Sequence, residues 1–363
     1  MKLTWKRVRA HTRHAFRIAR PGASVAGRDV ERVIVRVEHG GIAGIGEAAP
    51  TPYYGQSLDS AASTSRACSS VASTESRDVL AAESAAADDG RLEPIVDALL
   101  ARFDNQRAAV AAIDMALHDW LGRSGGRPVY RLLGLDPTAT PPTSMTIGID
   151  EPATIDRKVR EAGDFTILKV KVGTGQDEHT LSLVRRAAAE RRIRVDANGG
   201  WPDATVAAER IAALAGFGLE LVEQPLPAGQ LDEVRRLRAR LEPMGIPLIA
   251  DEDCVRPADL PRLAGVYDGI NLKLAKCGGI VEALRMVRQA RTADLSIMLG
   301  CMVETSVGVA AAAHLASLAD YVDLDGHLLL ADDPFAGLRL EAGTVRPGPD
   351  PGLGIRLRTP LTA

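Results

Sequence analysis

The sequence lacks the features that mark membrane, secreted and nucleic-acid-binding proteins. Its longest apolar stretches are only as long as a β-strand, which argues against a membrane-spanning helix. The N-terminal stretch MKLTWKRVRAHTRHAF carries charges but no apolar core, so it does not resemble a secretory signal. A formal net charge of −3 gives no reason to expect nucleic acid or an anionic membrane as a partner. These absences are typical of a soluble enzyme.

Cysteine is also scarce. The four cysteines, Cys68, Cys254, Cys277 and Cys301, form no CxxC pair and no dense framework. We interpret them as reduced thiols in a cytoplasmic protein. Each is most simply explained as a small buried residue.

The sequence contains instead a repeated strand–helix unit. Short runs rich in Val, Ile and Leu end at charged residues, as in TILKVKVG, IRVDANGG, LELVEQPL, IPLIADED and GINLKLAK. Polar-faced helical segments such as DEHTLSLVRRAAAERR separate these runs, and TSMTIGI predicts a first strand. The later candidate strands centre on residues 168, 194, 221, 249, 271, 298 and 323. Seven or eight such units in a chain of 363 residues predict an α/β barrel with room for a further domain.

The residues before the repeat predict a mixed α and β domain. VERVIVRVEHGGIAGIGEAAP holds two alternating strands joined by a turn at Gly40 and Gly41, which is a hairpin signal. Residues 57–124 are rich in alanine and predict helices, one of them across Leu58–Gly90. Another is the amphipathic segment RAAVAAIDMALHDWLGRSGG, which ends at glycine.

The tail after residue 330 has an irregular β pattern and is expected to return to the N-terminal domain. We therefore predict a capping domain in residues 1–125, a catalytic barrel in residues 126–330, and a returning tail in residues 331–363.

Charged side chains at the strand ends are the candidate functional residues. They are Lys169, Lys171, Asp196, Glu223, Asp251 and Lys273. Because the strand ends of a parallel barrel converge on one mouth, these side chains are expected to meet in space. Any one carboxylate alone is better explained as a surface or helix-capping group, but three at successive strand ends form a site for a hard cation. With lysines beside them, they suggest removal of a proton next to a carbonyl while a metal holds the enolate.

With these residues in this order, the sequence resembles the enolase superfamily and, within it, the muconate-lactonizing subgroup. The strings VDANGGW, VEQPLP and LKLAKCGGI, and the stretch AAIDMALHDWLGRSGGRPVYRLLG, are similar to sequences of that family. The resemblance covers nearly the whole chain. It implies a modified TIM barrel of the (β/α)7β type, with an α+β capping domain built from the N-terminal region and the C-terminal tail. It also implies one Mg²⁺ per subunit, bound by Asp196, Glu223 and Asp251.

A further motif resembles the dipeptide epimerases. Asp323 and Asp325, in YVDLDGHLLL, fall where the eighth strand should end, and side chains two apart on a strand share one face. In that group the pair holds the free ammonium of the substrate, to which two carboxylates are complementary. Either aspartate could instead cap the next helix. The seventh-strand region LSIMLGCMVETS has no histidine, which argues against a mandelate racemase-like enzyme.

The resemblance implies an isomerase that epimerises the C-terminal residue of an L,L- or L,D-dipeptide. Lys171 and Lys273 would stand on opposite faces of the α-carbon, so that one removes its proton and the other returns one. This is a two-base 1,1-proton transfer through a metal-stabilised enediolate, with lysine as base as in other enolase-superfamily sites. Lys169 would polarise the substrate carboxylate and lower the pKa of Lys171. Lys276 is expected to point elsewhere, and Asp253 either to orient a metal ligand or to be solvated.

Substrate choice is expected to depend on capping-domain loops in residues 17–29 and 51–57. The candidate substrate-contacting residues are Arg17, Arg20, Arg28, Tyr53, Tyr54, Thr146, Met302 and Val303. The arginines suit an acidic side chain or could simply be solvated, whereas the tyrosines suit an apolar or cationic one. Thr146, Met302 and Val303 could instead be packed in the core. The segment FRIARPGASVAGRDVE differs from the arginine-bearing loop expected of an Ala–Glu epimerase. The preferred side chain stays open among acidic, hydrophobic and cationic.

Two other functions stay open. An N-acylamino acid racemase, a cycloisomerase or an o-succinylbenzoate synthase would share the fold, but its substrate has no ammonium for Asp323 and Asp325 to bind. A non-catalytic, metal-dependent binding protein would not need a lysine on each face of a ligand. Related proteins suggest a homo-oligomer.

Overall fold

The computed structural model describes residues 1–20, 29–68 and 91–358. Part of the predicted helix across Leu58–Gly90 and part of the loop at 17–29 lie outside these residues. Residues 58–68 are helical, in agreement with the prediction for that part. Within the described ranges, none of the helices combines the length and the apolar character that a membrane span requires.

The N-terminal region forms a three-stranded antiparallel sheet covered by helices. Its strands are β1 (Lys2–His11), β2 (Asp29–His39) and β3 (Ile42–Ala48). The predicted hairpin between β2 and β3 is confirmed, and both turn glycines have positive φ, the left-handed region that favours glycine. The helices Glu93–Phe103 and Arg107–Ser124 follow. Gly46 lets the second of them pack closely on β3, because a Cβ there would lie 2.0 Å from the carbonyl oxygen of Ala112.

Eight parallel strands then form the barrel, in sequential order. They are β4 (Met145–Ile147), β5 (Ile167–Lys171), β6 (Arg192–Asp196), β7 (Leu219–Glu223), β8 (Leu248–Ala250), β9 (Gly269–Leu272), β10 (Ser296–Gly300) and β11 (Tyr321–Asp323). A parallel bridge between Thr143 and Val322 joins the ends of the sheet, and Ser144 N donates to Val322 O at 3.1 Å. The predicted barrel and its eight strands are confirmed.

Helices connect the strands on the outside of the barrel. The helices after the first domain are Val129–Leu132, Pro152–Glu161, Asp177–Ala187, Ala204–Ala215, Leu231–Leu241, Leu260–Leu263, Leu274–Cys277, Ile280–Thr292 and Ser306–Ala313. Their apolar faces are buried, as with Val234, Leu237 and Leu241 of one helix. Asp203 caps another by accepting from two backbone N–H groups at 2.9 Å, which satisfies donors that a helix start leaves free.

The tail forms two short antiparallel pairs. They are β12 (Phe335–Ala336) with β15 (Arg356–Leu357), and β13 (Arg339–Glu341) with β14 (Thr344–Arg346). The tail is hydrogen-bonded to the N-terminal region: Ala331 N donates to His11 O at 2.7 Å, Arg123 Nη2 donates to Ile355 O at 3.0 Å, and Leu353 N donates to Asp119 Oδ1 at 2.7 Å. The segment after the barrel therefore bonds to both β1 and the helix Arg107–Ser124.

A buried carboxylate joins the N-terminal sheet to the barrel. Glu47, at the end of β3, is fully buried and accepts from Thr305 N at 3.0 Å, Thr305 Oγ1 at 2.5 Å and Gly308 N at 3.1 Å. Arg32 Nε lies 3.8 Å from its carboxylate. Burial and the neighbouring Glu304 raise the pKa of Glu47 to about 8, although Arg32 works to lower it.

Because this pKa is raised on folding, the folded state holds an extra proton between roughly pH 5 and 8. The free energy of unfolding is therefore expected to fall as pH rises through that window, by on the order of a few kcal/mol. Glu304→Gln removes the second buried carboxylate, and we expect it to flatten this dependence in urea titrations from pH 5 to 9. A Glu304→Gln curve as steep as the wild type would contradict the assignment, and the exposed Glu209→Gln serves as the control.

Candidate active site

The charged strand-end residues lie together at one mouth of the barrel. β6 pairs with β7 so that Asp196 is level with Glu223, and Lys171 of β5 is level with Asp196. Asp251 directly follows β8, and Lys273 directly follows β9. Each of these side chains is at least nine-tenths buried. Buried charges are costly unless they are paired, and the lysines and carboxylates of this group pair with one another.

Lys169 bridges three carboxylates. Its Nζ lies 3.1 Å from Asp196 Oδ2, 2.6 Å from Glu223 Oε2 and 2.8 Å from Asp323 Oδ2. Lys171 Nζ donates to the same oxygen of Asp196 at 2.5 Å. The Lys-x-Lys pair thus places both ammonium groups on the acidic side chains of neighbouring strands.

Asp251 is held by two lysines, one of which was not expected. Lys273 Nζ donates to Oδ2 at 2.8 Å, while Lys276 Nζ donates to Oδ1 and to the backbone oxygen, both at 2.6 Å. Lys276 also donates to Asn271 O at 2.9 Å, and Asn271 Nδ2 donates to Glu223 Oε1 at 2.7 Å. The expectation that Lys276 points elsewhere is wrong, because the one-turn helix Leu274–Cys277 brings it back over the strand end.

These contacts separate the pKa values of the three carboxylates. Burial would raise the pKa of Asp196, but Lys171 and Lys169 outweigh it and hold the pKa below its usual range. Burial likewise acts against the ionised form of Asp251, and Lys273 with Lys276 reverses it, so its pKa is also lowered. For Glu223 the balance goes the other way: burial and the charge of Asp196 raise its pKa to about 7.

The carboxylates in turn shift the pKa values of the lysines. Burial works to lower the pKa of Lys169, but Asp323, Glu223 and Asp196 outweigh it, and the pKa lies well above its usual value. Asp251 raises the pKa of Lys273 in the same way against the effect of burial. These carboxylates therefore favour the ammonium form of Lys169 and Lys273.

The donor set fits a hard divalent cation in type, burial and charge. Asp196, Glu223 and Asp251 supply carboxylate oxygens from successive strand ends, and a cation beside them would offset the burial and the charge of Asp196, which raise the pKa of Glu223. Lys169 Nζ, between two of the carboxylates, marks where a positive charge is stabilised. Within residues 1–20, 29–68 and 91–358, however, no three acidic, histidine or cysteine side chains are already arranged to hold a metal.

Gln224 positions the end of β8. Its Oε1 accepts from Asp251 N at 3.0 Å, and its Nε2 donates to Asp253 Oδ2 at 2.9 Å. Asp253 also accepts from Tyr267 Oη at 2.8 Å and Gly229 N at 2.7 Å. Asp253 is therefore buried and bonded to the loops around the strand end. It is not solvated, and these bonds do not reach the carboxylate of a strand-end acid.

Asp323 and Asp325 stand where the two ends of the barrel sheet meet. Ser144 Oγ donates to Asp323 Oδ1 at 2.6 Å, and Thr146 N donates to Asp325 Oδ2 at 2.6 Å. Burial and the charge of Asp323 raise the pKa of Asp325 to about 6. Lys169 is paired to Asp323, so Asp325 is the carboxylate of this pair with the greater need of a positive charge.

A cavity of about 110 Å³ opens between these groups and the N-terminal region. Its lining includes Lys169, Lys171, Lys273, Asp323, Asp325, Thr146, Met302, Val303, Phe16, Ile18 and Arg20. The candidate residues Thr146, Met302 and Arg20 thus face it. Tyr54, on the turn Pro52–Tyr54, does not belong to this lining. Burial raises the pKa of Tyr54 to about 12. The charges of Lys276 and Lys273 lower this pKa, and that of Asp251 raises it.

Sequence reasoning missed Glu252 and Asn198. Arg20 forms an ion pair with Glu252, whose side chain is 2% exposed, and Asn198 Nδ2 lies 3.4 Å from the same oxygen. The acidic run ADED at the end of β8 is a signal that Glu252 lies near the mouth, but it does not indicate the pairing with Arg20. Arg17 is exposed at its side chain, and Arg28 lies outside the described residues.

The chain resembles known proteins over nearly its whole length. Residues 7–134 match the model of the mandelate racemase / muconate lactonizing enzyme N-terminal domain, and residues 152–360 match that of the enolase C-terminal domain-like family. The chain is 35% identical to an L-Ala-D/L-Glu epimerase of Bacteroides thetaiotaomicron, over 98% of this chain and 88% of that protein.

Solved structures are similar over the same length. One is a dipeptide epimerase of Enterococcus faecalis in complex with Mg and the dipeptide L-Leu-L-Tyr, at 32% identity, a TM-score of 0.84 and 98% coverage of both chains. Another is an N-succinyl Arg/Lys racemase of Bacillus cereus, at 27% identity and a TM-score of 0.83, covering 98% of this chain and 96% of that one.

Proposed function

This chain belongs to the mandelate racemase and muconate lactonizing enzyme family of the enolase superfamily, and from that premise we propose that it epimerises dipeptides at their C-terminal residue. It is an isomerase acting on amino acid derivatives. The observation that carries the finer proposal is the meeting, in one buried mouth, of three carboxylates, two facing lysines and the Asp323–Asp325 pair.

The positions of the two lysines support transfer to and from opposite faces of a carbon atom. Lys171 ends β5 and Lys273 follows β9, and these strands are four positions apart in an eight-stranded barrel. Strands half a barrel apart stand across the mouth from each other. A substrate α-carbon between them would present one face to each Nζ. One of the two lysines, as the neutral amine, would accept the α-proton from one face. The other, as the ammonium ion, would donate a proton to the opposite face.

The metal proposed for this site is Mg²⁺, held by Asp196, Glu223 and Asp251. When bound there, it would supply positive charge to the substrate carboxylate as the α-proton leaves. Lys169, which already contacts two of these carboxylates, would lie beside the same substrate group. Lys276 and Asn271 would keep Asp251 and Glu223 in place through their hydrogen bonds.

The Asp323–Asp325 pair would bind the free ammonium of the dipeptide. Both carboxylates face the cavity, and their fixed hydrogen bonds to Ser144 and Thr146 hold them at its edge. A cationic amine there would relieve the repulsion that raises the pKa of Asp325.

Asp323→Asn is expected to lower kcat/KM for a free dipeptide by about 100-fold or more, because a buried charge partner of the ammonium is lost. The same variant should lose much less on the N-acetylated dipeptide, which carries no ammonium. Comparing the two substrates by the loss of the α-proton NMR signal in D₂O cancels any general damage to the site. Asp320→Asn, just before the same strand and paired to Arg291 on the surface, is the matched control. An equal loss on both substrates would remove the ammonium role.

The experiment that tests the whole proposal is proton NMR in D₂O with Mg²⁺ and a pool of L-Ala-L-Xaa dipeptides. Loss of the C-terminal α-proton signal together with appearance of the L,D-diastereomer is the expected result. No exchange on any dipeptide, with exchange on N-succinyl amino acids, would overturn the proposal. That second activity is kept as an alternative because the Bacillus cereus racemase shares the fold at comparable TM-score.

A further inference from the structure

A short segment of the N-terminal region forms the roof of the cavity. This roof segment, residues 16–20, is fixed to the barrel by alternate residues. Ile149 N donates to Arg17 O at 3.2 Å. Ala19 packs against two glycines of the barrel mouth: a Cβ would lie 2.9 Å from the Ala19 methyl at Gly173 and 3.0 Å at Gly200. Glycine at both positions leaves the room that the roof segment occupies.

The intervening residues face the cavity. Phe16, Ile18 and Arg20 all line it, as expected for an extended segment whose successive side chains point to opposite sides. The ring centre of Phe16 lies 5.9 Å from Lys171 Nζ. Two of the three roof side chains are therefore apolar, and the third carries a positive charge.

Three of the four substituents of the substrate α-carbon are accounted for by the proposed function, on which this inference rests. Its carboxylate faces the metal ligands, its nitrogen leads toward Asp323 and Asp325, and its hydrogen faces Lys171 or Lys273. Because the barrel strands lie beneath these three groups, the side chain would point to the roof segment. The roof residues are then the ones that meet it.

The charge of Arg20 is already neutralised. Its guanidinium pairs with Glu252, whose side chain is almost fully buried, and it stacks 4.1 Å from the ring centre of Tyr53. The Arg20 side chain is itself only 17% exposed. An acidic substrate side chain would have to take Arg20 from Glu252, which would leave a buried carboxylate without its partner and bring a second one close to it.

We propose that the Arg20–Glu252 ion pair, with Phe16 and Ile18, makes this site select dipeptides whose C-terminal side chain is apolar and reject acidic ones. The net charge of the pair is zero. An apolar side chain is therefore stabilised when it leaves water and contacts the roof segment, whereas a charged side chain finds no free partner there. Removing Arg20 and removing Glu252 are therefore expected to change the substrate preference in opposite directions.

The test measures kcat/KM of the Mg²⁺-loaded enzyme on L-Ala-L-Phe, L-Ala-L-Glu and L-Ala-L-Lys. The wild type is expected to prefer Phe over Glu by about 100-fold. Glu252→Gln frees the charge of Arg20 and should raise the Glu/Phe ratio about tenfold or more. Arg20→Met leaves Glu252 unbalanced and should raise the Lys/Phe ratio instead. Ratios are used because Glu252 adjoins Asp251, and a general loss of activity cancels in them.

The outcomes are distinguishable from failure of the proposed function. If no dipeptide is epimerised, the proposed function fails. If dipeptides are epimerised but L-Ala-L-Glu equals L-Ala-L-Phe in the wild type, this inference fails alone. A selective loss of L-Ala-L-Glu turnover in Arg20→Met, with an unchanged Lys/Phe ratio, would also overturn it, because Arg20 would then be an acceptor of acidic side chains. The wild-type ratio decides even if Glu252→Gln does not fold.

Discussion

Lys171→Ala and Lys273→Ala are each expected to stop interconversion of the two diastereomers, with kcat lowered by about 10⁴-fold. Each variant should nevertheless keep exchanging the α-proton of one diastereomer with D₂O, because the remaining lysine still faces one side of the carbon. The two variants should exchange opposite diastereomers, since the lysines stand across the barrel mouth from each other. Following both α-proton signals of a dipeptide pair by NMR measures exchange and epimerisation separately.

The control for removal of a buried lysine is Lys158→Ala. Lys158 is 8% exposed and pairs with Asp150 at 3.2 Å, away from the strand-end carboxylates. It should keep both exchange and epimerisation. If Lys171→Ala and Lys273→Ala retained exchange on the same diastereomer, the lysines would not act on opposite faces and the two-base transfer would be wrong.

Glu223→Gln is expected to abolish turnover while stabilising the protein in chelator. Ionising a carboxyl whose pKa is raised from 4.5 to about 7 costs the folded state about 3 kcal/mol above pH 7. Glutamine has no charge to ionise, keeps an oxygen for the Asn271 hydrogen bond, and removes this cost. The same change removes a proposed metal ligand, so we expect Mg²⁺ affinity and kcat/KM each to fall by at least about 100-fold.

Thermal unfolding at pH 8 separates the two effects. In EDTA the melting temperature of Glu223→Gln should exceed that of the wild type. Added Mg²⁺ should raise the melting temperature of the wild type far more than that of the variant. Glu209→Gln, which removes the charge of an exposed carboxylate, is the control. A Glu223→Gln protein that melts lower than the wild type with and without Mg²⁺ would mean that this carboxylate only supports the fold.

The strand ends were predictable because their signal is local. A run of Val, Ile and Leu that stops at a charge fixes both the strand and the end at which the charge lies, and Lys169, Asp196 and Glu223 follow from that pattern. The barrel then dictates that they meet. The repeated strand–helix order and the hairpin of β2 and β3 follow from the same periodicities, whereas the (β/α)7β type came from the family resemblance.

Other parts of the site depend on contacts that leave no local signal. Arg20 and Glu252 are 232 residues apart, and neither neighbourhood indicates the other. Lys276 reaches Asp251 only because a single helical turn follows β9 at once, and the sequence does not distinguish that turn from a longer strand. Asp253 finds its partners on loops of two other strands. Charge pairing in a closed site is decided by tertiary geometry, which pattern and propensity do not contain.

The proposed ammonium clamp has a consequence for biosynthesis. Asp323 and Asp325 owe their position to Ser144 and Thr146, and 179 residues separate the partners in each pair. Such distant contacts form late, because a long stretch of chain must be ordered before they add any stability. In a nascent chain the lysines and the strand-end carboxylates Asp196, Glu223 and Asp251 emerge before the eighth strand. The proposed binding of the dipeptide ammonium is then acquired after the other parts of the site. A product terminated before the eighth strand would lack Asp323 and Asp325 and would not bind that ammonium.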